Sequence, residues 1–365
     1  MSGDQNLVLD AAERVFADLA DPQTILKAGG KDWKTPLWNT LDEMGLPRAW
    51  LPETLGGHGL SMAEGFGLAR AAGRFALAVP LIETMIAGWV AGRAGLALPD
   101  GPSTVILAGE PAAVRLDDHG RVQARIRRVP FAREARSFVV VAGAASGVEP
   151  GTEPGAPSGG ARVAVMPAAD CRIDDGENLA GDPSDTVVID ADARQWVETP
   201  GMSVDRALFV AATCRSLQIA GALQAILQMS VAYAMERVAF EKPIAKFQAV
   251  QQNLARLAGE VAAAVAASES AADAMANDET PADELLLEVA SAKVRAGEAA
   301  ETGAAIAHQV LGAIGFTEEH VLHRFTLRAL SWRDDFGTEM AWARRLGDMV
   351  GRRDSADLWR LLSAR

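Results

Sequence analysis

Positive charge is scarce in this chain. Its 365 residues carry 35 lysines and arginines against 48 aspartates and glutamates, for a net charge of −13 and an isoelectric point near 4.9. A nucleic-acid-binding face needs clustered basic residues, so the composition argues against that class and mainly favours solubility. Cysteine is nearly absent. The two present, Cys171 and Cys214, lie far apart and form no CxxC site, so buried free thiols are expected ahead of a disulfide. No apolar run of about 20 residues is evident, so no membrane span is expected. The N-terminus MSGDQNLVLDAAERVF lacks a basic segment leading into an apolar one, which argues against a signal peptide and makes the cytoplasm the expected compartment. There is no GxSxG, P-loop or GxGxxG motif. His58, His308, His320 and His323 show no ligand spacing with nearby Cys or carboxylates, so no metal is expected; His320 and His323 are expected near a helix start.

What the chain does have is alanine and aliphatic residues. Hydrophobic residues make up 49%, much of it alanine, which favours packed helices. The length allows two or three domains. Residues 5–100 read as helices, with Leu9, Val15, Phe16 and Leu19 at helical spacing and Ser61 a plausible N-cap after the glycine-rich break at Gly56, Gly57 and Gly59. Composition then shifts. TVILAG, RVQARIRRV, SFVVVAG, ARVAVMP and DTVVIDA are short and valine-rich, the signature of strands. DDHG at 117–120 reads as a hairpin turn, and 143–160 as a low-complexity loop. From about 202 the pattern is helical again, running on through RVAF. It resumes over 246–277 and, after a break at 279–284 with Thr280 as N-cap and Pro281 at N1, continues to about 312. These boundaries divide the chain into an N-terminal helical domain (1–102), a middle β-barrel-like domain (103–200) and a C-terminal four-helix bundle (201–365), a mainly α protein with a small β domain.

Three stretches sharpen this reading. LDEMGLPRAWLPETLGGHGLSM, then RVAFEKPIAKFQAVQ at 237–251, then HQVLGAIGFTEEHVLHR at 308–324, resemble, in order and spacing, motifs of the acyl-CoA dehydrogenase family. The resemblance runs nearly end to end. It is similar above all to the shorter, base-lacking subunits of bacterial heterotetrameric enzymes. Read without it, Phe240, Ile244, Phe247, Val250 and Leu254 at helical spacing would be core residues of a bundle. The resemblance implies a tetramer, homomeric or heteromeric, with FAD at a subunit boundary. It also implies an acyl-CoA thioester as substrate and electron-transfer flavoprotein as redox partner. It implies Arg237 on the pyrophosphate with Phe240 and Gln248 flanking it, Gln309 and Gly312 at the adenosine end, and Thr338 reaching the flavin.

The chain also departs from the family. Removing a weakly acidic α-proton takes a well-placed, desolvated carboxylate. The position of the family's glutamate falls on Phe336, and the alternative position, near Met229, Ser230 and Val231, holds no carboxylate. Asp335 is the remaining candidate base; the bland reading of Asp334 and Asp335 is a helix cap. One flavin-ring strand has no counterpart, and the other reads Pro130, Phe131 and Ala132 where Trp, Ile and Thr belong; the family glycine after Phe240 is Glu241. The leading expectation is therefore a non-catalytic partner subunit. The alternatives are an active homotetramer using Asp335, a flavin-dependent monooxygenase on the same fold, and a flavin-free scaffold.

Overall fold

The structure, a computed structural model, describes residues 3–29, 32–108, 114–116, 121–143, 160–192 and 196–363. The proposed turn at 117–120 and most of the proposed loop at 143–160 lie outside them. The first elements are helices: α1 (Gly3–Leu19), α2 (Pro22–Ala28), α3 (Lys34–Glu43), α4 (Met62–Arg74) and α5 (Leu81–Arg93). Eight strands follow: β1 (Ser103–Ala108), β2 (Val114–Leu116), β3 (Arg121–Pro130), β4 (Ser137–Ala142), β5 (Ala161–Pro167), β6 (Cys171–Asp174), β7 (Ser184–Asp192) and β8 (Val197–Thr199). Then come α6 (Val204–Glu236), a small hairpin of β9 (Val238–Ala239) and β10 (Lys242–Pro243), α7 (Gln248–Ala276), α8 (Ala282–Leu311), α9 (Leu322–Trp332), α10 (Glu339–Gly351) and α11 (Ser355–Ser363).

The chain forms two compact units. One comprises Trp38–Ser61 and Ala78–Ala211. It holds two four-stranded sheets, ordered β1-β4-β5-β8 and β2-β3-β7-β6; β1 and β4 run parallel and every other pair is antiparallel. Val122, Phe138, Val140, Val187 and Ile189 join one apolar core. Neither cysteine forms a disulfide; Cys214 is buried, as expected, and Cys171 only half-buried.

The other unit comprises Met1–Leu37, Met62–Leu77 and Ala212–Arg365. Its core draws on Ile219, Leu223 and Ile226 of α6, Leu257 and Val261 of α7, Ala296, Ala300 and Val310 of α8, and Phe325 and Trp332 of α9. Small residues let helices touch backbone to backbone. A Cβ at Gly73 of α4 would lie 2.0 Å from Gln218 O, and one at Gly221 of α6 would lie 2.1 Å from Arg70 O. Glycine at both positions is what permits this approach. By length and composition α6 is apolar enough to cross a membrane, yet 83% of its most apolar window is buried within the protein, as befits a core helix.

Two local expectations change. The third-domain helix does not run through RVAF. It stops at Glu236, because the next residues turn back into the β9–β10 hairpin. Thr280 does not cap α8 either: its hydroxyl donates to Ala274 O at 2.9 Å, serving the end of α7, and Pro281 occupies the cap position of α8.

Candidate functional site

The site begins where α6 ends. Arg237 N donates to Tyr233 O at 2.9 Å, and Ile244 N donates to Arg237 O at 2.8 Å, so Arg237 sits at the base of the hairpin. Phe240 and Glu241 form its tip in the left-handed region, with φ of +51° and +65°. Phe240 is 89% exposed, which sets aside its reading as a core residue; its ring meets Phe247 edge-on at 6.2 Å. Lys242 Nζ lies 4.4 Å from the Phe247 ring centre, within cation–π range.

Arg237 opens onto a groove of about 720 Å³. Tyr233, Arg237 and Ile244 line one side; residues 310–314 and Thr317 line the other. The second side exists because α8 breaks at Gly312, whose φ of +67° and ψ of −143° are accessible to glycine and costly for other residues. Among the described residues Arg237 has no carboxylate partner. An exposed guanidinium beside an open groove suits a phosphate group, to which its fork of N–H donors can bond bidentately. The residues present therefore fit the phosphate-bearing end of a nucleotide cofactor.

Arg237 and Gly312 thus share one groove. Phe240 projects at the hairpin tip, Gln248 is exposed as the first residue of α7, and Gln309 is exposed near the end of α8; none of the three lines the groove. Thr338 stands elsewhere as the N-cap of α10, its hydroxyl accepting from Ala341 N at 3.3 Å. Tyr233 was not singled out in the sequence. Its signal was there: it precedes Arg237 by four residues and so shares its helix face.

The loop between α9 and α10 carries the position at which a base would stand. Phe336 occupies it, with φ +56°, and its carbonyl accepts from Trp342 Nε1 at 3.1 Å. Asp335 is 8% exposed, and its Oδ2 accepts from Arg215 Nε at 2.9 Å. Arg215, 1% exposed, also donates to Gln218 Oε1 and lies 5.4 Å from the Phe336 ring centre. Lys293 is buried beneath the same loop and donates to the carbonyls of Trp332 at 3.1 Å and Arg333 at 2.6 Å. Burial pushes its ammonium down to about 8, against the opposing pull of Asp335 and Glu339. Neither acid caps a helix; Thr338 does that.

In the sheet-bearing unit, the segment after β3 is equally committed to its own fold. Phe131 and Ala132 are buried, and Arg133 N and Nε donate to fully buried Asp185 at 2.8 and 2.9 Å. No side chain of Pro130, Phe131 or Ala132 offers a polar group to a flavin ring. Among the described residues, no group of three His, Cys, Asp or Glu is placed to hold a metal.

Comparison with known proteins follows the same lines. The family model for the acyl-CoA dehydrogenase C-terminal domain matches residues 203–341. Acyl-CoA dehydrogenase FadE27 of Mycobacterium tuberculosis is 28% identical over 348 residues, spanning 85% of this chain and 87% of that protein. Acyl-CoA dehydrogenase IpdE2 of the same organism is 28% identical over 331 residues, spanning 89% and 91%. A chain of the ChsE4-ChsE5 complex from M. tuberculosis superposes with a TM-score of 0.81 at 24% identity, covering 97% of this chain and 99% of its own. A chain of the Tcur3481-Tcur3483 steroid ACAD gives 0.80 at 24% identity, covering 96% and 98%.

Proposed function

The chain belongs to the acyl-CoA dehydrogenase family and has its fold, mainly α with a small β domain, and from that premise we propose that it is the non-catalytic partner subunit of a heterotetramer that α,β-dehydrogenates an acyl-CoA thioester with FAD. The observation that carries this reading is an open cationic groove paired with a closed base loop. Arg237 faces free volume, whereas Asp335 is held by Arg215 in the interior and Phe336 fills the position beside it. To serve as a base, Asp335 would have to leave Arg215 and abandon a buried cation, which costs several kcal/mol.

Bound FAD would supply the hydride acceptor. This chain's own task is to grip: Arg237 takes the pyrophosphate, Gly312 and the following turn leave room for the adenosine end, and exposed Phe240, Gln248 and Gln309 reach a cofactor whose ring is held by the partner chain. The Thr338 hydroxyl accepts from Ala341 N as a helix cap and keeps its own proton to donate to the flavin. The partner is another acyl-CoA dehydrogenase subunit, one that carries the glutamate, and the reduced flavin passes its electrons to electron-transfer flavoprotein. The names of two similar structures, ChsE4-ChsE5 and Tcur3481-Tcur3483 steroid ACAD, support a two-chain assembly and a bulky, steroid-like acyl group. We place the assembly in the cytoplasm.

The test is expression with and without an acyl-CoA dehydrogenase encoded beside it. Alone, the chain is expected to show no acyl-CoA oxidation; together, the pair is active, and Asp335→Asn in this chain lowers the unfolding midpoint but leaves the turnover per folded assembly unchanged. A flavin-loaded tetramer of this chain alone that oxidises acyl-CoA would overturn the reading.

A further inference from the structure

Three histidines meet at the corner between α8 and α9, behind the 310–317 wall of the groove. His308 lies in the last turn of α8, His320 in the connecting turn and His323 in the first turn of α9. Hydrogen bonds fix the protons of two of them. His308 Nε2 is hydrogen-bonded to Thr326 Oγ1 at 3.1 Å, and that hydroxyl also reaches Leu322 O at 3.2 Å. His320 Nδ1 accepts from Leu322 N at 3.1 Å and carries no proton. His323 Nδ1 lies 2.7 Å from His320 O and donates to it. The His320 bond satisfies one of the orphan N–H groups that open α9.

The wall is seated on this corner. A Cβ at Gly315 would lie 3.0 Å from the Leu311 Cβ and 3.3 Å from His308 Nδ1, so the turn rests against the imidazole. Phe316 stacks on His308, with ring centres 4.5 Å apart and planes 29° from parallel. The charged neighbours that act on His308 and His320 are the histidines themselves. Farther up α8, Glu298 and Glu301 are held by Arg295 and Arg333. Glu318 and Glu319 are exposed in the connecting turn. On α9, Arg324 lies over Trp33 and Arg328 donates to Arg324 O. Arg237 stands across the groove.

We propose that His320, with His308 and His323 beside it, is a proton-sensitive catch: with Nδ1 unprotonated it holds the start of α9, and with it the Gly312–Phe316 turn, in the shape that receives the phosphate-bearing end of FAD, and protonation of Nδ1 releases it. The cofactor's part in this rests on the proposed function above; the movement of the turn does not. A proton on His320 Nδ1 removes the bond to Leu322 N and places a cation at the positive end of a helix, facing two other imidazoles. Burial is the first cause lowering the proton affinity of both His308 and His320, and the neighbouring histidines lower it further; for His308 the Gly315 backbone partly opposes this. Because the folded form binds fewer protons, the stabilisation is full above the ordinary histidine value of 6.5 and is lost as pH falls below it.

Amide hydrogen exchange of the 309–322 segment, corrected for intrinsic rates, reads the catch directly. Between about pH 7.5 and about pH 5.5 its protection is expected to fall about tenfold in the unmodified protein, while the 282–300 part of α8 keeps its protection. His320→Asn, whose amide oxygen accepts from Leu322 N at either pH, should keep the segment protected at both. Thr326→Val, which removes the hydroxyl bonded to His308, should loosen it already at the higher pH. An unmodified segment equally protected at both values, or His320→Asn losing protection in step with it, overturns the proposal. FAD retention over the same range is read separately: a turn that loosens in a protein that never takes up FAD sinks the cofactor reading and leaves the catch standing.

Discussion

Asp335 faces Arg215 at 2.9 Å and, with Glu339, offsets Lys293 buried under the same loop. Removing it leaves Arg215 without its carboxylate and Lys293 with less compensation. Asp335→Ala should therefore cost about 3–5 kcal/mol in urea unfolding, and the double change Arg215→Met with Asp335→Leu should recover most of that loss. A loss confined to activity, with stability unchanged, would point instead to a catalytic carboxylate. Lys293 gives a separate signature. Its folded-state value, about 8, lies below the ordinary 10.5, so the unfolded chain binds more protons between the two and stability from this group rises across that window. The difference in unfolding free energy between the unmodified protein and Lys293→Met should accordingly move in favour of the unmodified protein from pH 8 to 10.5.

The β9–β10 hairpin carries two consecutive side chains in the left-handed region, and at Glu241 the family pattern has glycine. Glu241→Gly should stabilise the protein by up to about 1 kcal/mol, less whatever glycine gains in the unfolded chain, as a shift in thermal midpoint would show. That hairpin also marks what the sequence could and could not reveal. The strands beginning TVIL and SFVVV were plain, because β-branched runs bounded by turns leave few alternatives. The groove was half legible: the motif pointed to Arg237 and Gly312, but helical spacing carried the helix past Glu236, since periodicity does not register a chain reversal. Arg215 and Asp335 are 120 residues apart, and no local pattern links them. The histidines failed as metal ligands by spacing alone, whereas their role as hydrogen-bonding partners depends on where α9 begins.

On the scale of the whole molecule, the chain has an acyl-CoA dehydrogenase fold in which the groove beside Arg237 is open and Phe336 fills the position beside Asp335. If the chain is the partner subunit proposed above, with the flavin ring held by the other chain, the assembly should hold about one FAD for every two chains; absorbance at about 450 nm with native mass measurement decides it. One flavin per chain would instead mean that this chain completes a ring site of its own. Composition read along the chain shows where helices give way to strands, but not that Met1–Leu37 and Met62–Leu77 share a compact unit with Ala212–Arg365. That interleaving has a consequence for biosynthesis. Every segment of the sheet-bearing unit has left the ribosome once Ala211 emerges, whereas the first helices must wait for residues 212–365, roughly 8–30 s at ordinary elongation rates. During that interval α1 and α4 have each other to pack on, but the face of α4 that meets α6 and α7 has no partner yet made, and it is there, rather than in the finished protein, that chaperones would find their target.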